Sequence, residues 1–207
     1  MAATAAPYGL RPISLIGGQP YAGSTRLIKI ASGYAQNIFY GQPLVLNGTT
    51  GTVEADTTTT TALGNPGTIG VFAGCTYTDP NLRYKVFRQN WPTGTVAADA
   101  EAYVIDDPDV VMQIQANGAV TQAALGANIG FVNISAGSTA TGNSTAAANA
   151  STIATTNTLP LRIIGFVDGP DSVIGDAATD ILVKWNAPNT GGTATASGHS
   201  YMNPLGV

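Results

Sequence analysis

Apolar and polar residues alternate along this chain in short runs, each ended by glycine, proline or a cluster of small polar residues. Residues 82–89 show the pattern most clearly. Leu82, Tyr84 and Val86 fall on one side of a β-pleat, and Arg83, Lys85 and Phe87 on the other. Comparable runs at 25–30, 38–40, 44–46, 52–54, 69–78, 102–105, 110–115, 129–134, 161–168 and 179–185 predict further strands. The turn residues 48–51 join two of these into a hairpin. Only residues 121–125 suit a helix, and one or two turns cannot stand alone. The pattern therefore predicts an all-β fold, a compact barrel or sandwich of short strands. Ile-Gly followed by Val or Phe recurs at 69–72, 129–132 and 164–167. Glycine inside a strand permits tight curvature, which suits a small, bent barrel.

The segments outside these runs divide the chain into an arm, a body and a tail. Residues 1–24 carry Pro7, Pro12, Pro20, Gly9, Gly17 and Gly18, which rule out a regular helix. They also carry Tyr8, Leu10, Ile13, Leu15 and Ile16, costly to leave in water, so this extended arm packs either on its own domain or on a partner. Residues 25–186 form the β-rich body. Within it, 55–67 is a polar loop with five consecutive threonines. Residues 135–157 have Ile153 as their one large apolar residue in an Ala/Ser/Thr/Asn/Gly sequence past Ser135, and are expected to be a long, exposed, flexible loop that could be shortened without loss of folding. Residues 187–207 are a Gly/Thr/Ser/Pro tail.

Composition narrows the function. Charged residues make up 10% of the 207, well below the quarter or so usual in soluble domains. The net charge is -4, from 8 basic and 12 acidic residues, and no two basic residues are adjacent. Nucleic-acid binding, which needs a basic stripe against phosphates, is not expected. Nor is a membrane role, since no run of 18 apolar residues occurs. The opening lacks the basic start and apolar stretch of a signal peptide, so the N-x-S/T sequons at Asn47, Asn133, Asn143 and Asn149 follow from composition.

Little in the sequence suggests chemistry. The single Cys75 leaves no intramolecular disulfide and no multi-cysteine zinc site. The single His199 lies in the tail, which argues against a triad or a two-histidine metal centre. Neither a G-x-S-x-G elbow nor a phosphate loop is present. Asp106, Asp107 and Asp109 are the best candidate metal cluster, but lack the glycine and terminal glutamate of a calcium loop and are expected to form a proline-containing turn. Asp168, Gly169, Pro170 and Asp171 are likewise a turn first. No catalytic residue, metal or cofactor is assigned, and the chain is not expected to be an enzyme. Trp91 and Trp185 could build a sugar-stacking face, although core packing is the commoner role.

Three strings are more specific. Ala6-Pro7-Tyr8-Gly9-Leu10-Arg11-Pro12, Gly41-Gln42-Pro43-Leu44-Val45 and Gly70-Val71-Phe72-Ala73-Gly74-Cys75-Thr76-Tyr77 together resemble a family of small virion structural proteins of tailed bacteriophages. The remainder is similar in style, being β-rich, acidic and rich in Thr, Ala and Gly. The resemblance implies a capsid decoration (cement) protein, made in the host cytoplasm and bound to the outer face of the head. Its partner would be the major capsid protein, and self-association, with a homotrimer favoured, is implied by analogy. Tyr8, Leu10, Arg11 and Pro12 are then the expected capsid-interface residues, combining an aromatic, an apolar side chain, a fork-shaped donor and a rigid turn. The alternative is a receptor-facing, fibre-type virion protein or an extracellular carbohydrate-binding module. Imaging separates the first from cement, and glycan binding would identify the second.

Overall fold

A computed structural model of the chain describes residues 4–57, 68–156, 158–186, 199 and 202. It is nearly all-β, with two antiparallel sheets packed together as a sandwich of short strands. The strands are β1 (Arg11–Leu15), β2 (Arg26–Lys29), β3 (Pro43–Leu46), β4 (Val53–Ala55), β5 (Thr68–Thr78), β6 (Lys85–Arg88), β7 (Glu101–Ile105), β8 (Val110–Gln115), β9 (Asn128–Val132), β10 (Ala147–Ala154), β11 (Leu161–Phe166) and β12 (Asp180–Trp185). The expected helix reduces to one 3-10 turn, Gln122–Ala124. One sheet has the order β1-β8-β12-β11-β9-β10. The other has the order β2-β7-β5-β3-β4, with β6 pairing the far end of β5.

Alternation sets which side chains face inward. In β12, Ile181, Val183 and Trp185 are buried while Asp180, Leu182 and Lys184 are half-buried. Ile181 and Val183 join Met112, Ile114, Leu161 and Ile163 in the core of the first sheet. Full burial of each such aliphatic chain contributes roughly 1.5–3 kcal/mol. The second sheet gathers a separate core around Phe72, Tyr77 and Trp91, where the rings of Tyr77 and Trp91 meet edge to face at 5.2 Å.

Both sheets are curled. Ile30, just past β2, bridges Val53 of β4, and Ala116, just past β8, bridges Ala148 of β10. All three Ile-Gly motifs lie at shifts of strand register. Gly70 pairs Leu44 beside one shift, Gly165 follows another, and Gly130 pairs Asn149 beside a third. At Gly70, with φ 154°, a Cβ would overlap the Ile105 carbonyl, so only glycine lets β5 approach the end of β7 this closely.

One open expectation is settled and two change. The segment 1–24 packs on its own domain, one of the two alternatives: Arg11–Leu15 pairs β8 as the edge strand of the first sheet, and Leu10 is fully buried. Pro12 is compatible with this because an edge strand leaves one side of its backbone unpaired. The segment 135–157 is not a flexible loop. It contains β10, paired to β9, with Ala146, Ala147 and Ala148 buried. Alanine is small enough to line the crowded interior of a curled sheet, and composition alone does not separate that use from a loop. Finally, His199 is fully buried, its ring 6.1 Å from that of Trp185. The rest of the 187–207 tail apart from Met202, and the threonine run from residue 58 to 61, lie outside the described residues.

Candidate docking surface

The three strings singled out in the sequence, distant along the chain, come together at one place. The Leu10 N–H donates to the Gly41 carbonyl at 2.8 Å, the Gly41 N–H to the Phe72 carbonyl at 2.9 Å, and the Phe72 N–H to the Gln42 carbonyl at 2.9 Å. Gly9 donates to Ala146 at 3.1 Å, so β10 is tied to the same point. Leu10 enters the first core while Leu44 and Phe72 enter the second. The strings thus build a seam that joins the two sheets.

Of the four expected interface residues, the structure brings two together at the surface. The Arg11 guanidinium lies over the Tyr8 ring at 4.1 Å from its centroid. Arg11 is exposed and Tyr8 half-buried. Burial, and then the carboxylate of Asp180, push the Tyr8 hydroxyl well above its ordinary pKa. Asp180 in turn accepts from the Gln113 amide at 3.0 Å. Leu10 is in the core and offers no surface to a partner, and Pro12 is half-buried opposite Met112. Ile13 and Ile16, at 47% and 52% exposure, are the apolar residues this edge presents.

The aspartates at 106–109 form a turn linking the sheets, as expected. Asp106 pairs Arg26 at 2.8 Å, Asp109 pairs Lys184 at 2.5 Å, and Asp107 accepts the Asp109 N–H. Each outer carboxylate is drawn to a different sheet, so the three do not converge. Among the described residues no group of three or more His, Cys, Asp or Glu side chains is placed to hold a metal ion. Trp91 and Trp185 are buried and form no stacking face.

A surface that sequence reasoning treated only as a solvated face lies at the far end of β5. Residues 79–84 form the turn into β6. Asp79 organises it: its carboxylate accepts the N–H groups of Asn81 and Leu82, which hold its pKa below the usual range, and its carbonyl accepts the Arg83 N–H. Arg83 adopts a left-handed φ of 59° there. Arg88 reaches back to Asp79 at 3.4 Å. Beneath the turn is an open groove of about 470 Å³ lined in part by Tyr77, Asp79, Arg88, Pro92 and Val96. Phe87 is 71% exposed and Tyr84 58%. The sequence signal was present in the alternation of 82–89, which places a phenylalanine among the basic residues.

Against known proteins, no family model matches the chain, and neither a curated protein nor a solved structure does.

Proposed function

We propose that the chain is a decoration (cement) protein of a tailed-phage head, bound to the outer surface of the shell and bridging neighbouring capsomers of the major capsid protein. The observation that carries the reading is the seam. The three strings that resemble the phage proteins are not scattered: Gly9-Leu10, Gly41-Gln42 and Phe72 are hydrogen-bonded neighbours. Their meeting supports the reading, because it gives the three strings one shared structural task, that of joining the two sheets.

The physical logic is linkage. A protein that binds only the assembled shell stabilises it, and each copy that touches two capsomers adds interface and avidity. Such a role needs a rigid body and a presented surface. The Tyr8–Arg11 pair is the part of the opening string left free to meet a shell; Arg11 suits a carboxylate or a carbonyl there.

Heads assembled without this protein should form but burst at lower temperature, and added purified chain should restore their resistance. Equal heat resistance with and without the chain overturns the reading. Labelled chain found at the tail and not over the head would point to the fibre-type alternative.

A further inference from the structure

We infer that the chain binds a second copy of itself head to tail, the tip of the β5–β6 hairpin (81–89) of one copy seating on the β11–β12 loop (168–176) of the next. Charge is the first reason. The net charge is -4, yet the turn and β6 (79–89) hold Arg83, Lys85 and Arg88 against the single Asp79, which Arg88 pairs, while the loop 168–176 holds Asp168, Asp171 and Asp176 and no base. Among the described residues the ion pairs are Arg26–Asp106, Arg88–Asp79 and Lys184–Asp109, so Arg83 and Lys85 are outside them. Lys85 lies near the Asp99 carboxylate without closing a pair. Asp168 and Asp171 are exposed on the other sheet.

Each charged segment also displays apolar surface. The tip presents Leu82, Tyr84 and Phe87 at 49%, 58% and 71% exposure. The acidic loop presents Val173 at 44%, between Asp171 and Asp176. An apolar centre ringed by charge is the usual anatomy of a protein interface, and aromatic residues and arginine are enriched in it. The Asp79 turn fixes the tip before binding, so little freedom is lost on docking. The loop is similarly held, by the Gly175 N–H to the Val120 carbonyl at 2.9 Å and the Asp180 N–H to Ser172 Oγ at 2.9 Å. Nucleic acid is a poor occupant for the tip, because three bases neutralise few phosphates and the rest of the chain repels them. The two surfaces differ, so one contact leaves a free tip and a free loop, and the assembly closes into a ring or extends as a filament.

Sedimentation velocity of the full chain tests this. The parent should associate, and less so at high salt. Phe87→Ala, Lys85→Glu and Asp171→Lys should each weaken association by roughly tenfold or more. The double exchange Lys85→Glu/Asp171→Lys should recover it, and so should mixing the two single variants, which succeeds only if both are folded. A monomeric parent, an association indifferent to these changes, or a double exchange as weak as its singles overturns the proposal. So does a monomeric parent whose Lys85→Glu variant no longer coats heads, since the tip would then face the shell protein.

Discussion

Gly9 and Gly41 stand so close that no side chain fits between them. A Cβ on Gly9 would lie 2.6 Å from the Gly41 carbonyl oxygen, the same oxygen that accepts the Leu10 N–H. Gly9 also has φ 77°, where L-residues are strained. Gly9→Ala should therefore lower stability by more than about 1 kcal/mol. Chemical denaturation checks this, and a midpoint equal to that of the parent would contradict the close approach.

Removing residues 1–21 should unfold the first sheet and not merely free it of an appendage. The deletion takes Leu10 from the core and β1 from β8. Leu10→Ala alone should cost about 2–5 kcal/mol. Circular dichroism decides: a truncated chain that stays folded and no longer coats heads would make the segment an anchor after all.

Deletion of residues 137–150 should abolish cooperative unfolding, because it removes Ala146, Ala147 and Ala148 from the interior and three of the four paired positions of the β9–β10 ladder. A milder probe is Ala148→Leu, which overpacks a fully buried site and should cost about 1–3 kcal/mol. An unchanged melting temperature in either variant would return the segment to the status of a loop.

His199 should make the fold acid-sensitive. Burial lowers its pKa from 6.5 to about 4, against the opposing pull of Asp106 and Asp107. As pH falls through 6.5 the unfolded chain takes up a proton that the folded chain refuses until about 4. Stability from this group is thus full above the unfolded pKa and declines across that window, by up to about 3 kcal/mol. The comparison that isolates this group is with His199→Asn: the parent should lose more stability than the variant between neutral and acid pH. Parallel pH curves would refute it.

Cys75 should resist thiol reagents in the folded protein. It is 1% exposed, and burial pushes its pKa up to about 12, so almost no thiolate is present at neutral pH. Labelling in denaturant should be rapid, and rapid labelling of the native protein would show the second core opening.

The strands legible in the sequence are those whose inward residues are large. β5, β8, β11 and β12 place Ile, Val, Leu, Phe or Met toward a core, and alternation or an unbroken apolar run revealed them. β10 was missed because its buried start is Ala147, Ala148 and Asn149, with no large apolar residue among them. β1 was missed because Pro12 and a register shift between Pro12 and Ser14 break the strand pattern. His199 was missed because the Gly/Ser composition around it carries no trace of its burial against the Trp185 ring. At the candidate surface, the strings were legible as motifs while their meeting was not, since no local pattern says that residue 9 touches residue 41. Leu10, expected at an interface, is a core residue for the same reason.

The pairing of β1 with β8 has a consequence for how the chain is made. The Ala6 N–H donates to Gln115 Oε1, a partner 109 residues further along. At a synthesis rate of about 5–20 residues per second, the opening segment leaves the ribosome roughly 5–20 seconds before its partner strand exists. Throughout that interval Leu10, Ile13 and Leu15 have no β8 to pack on, so β1 must wait while β2 to β7 are made.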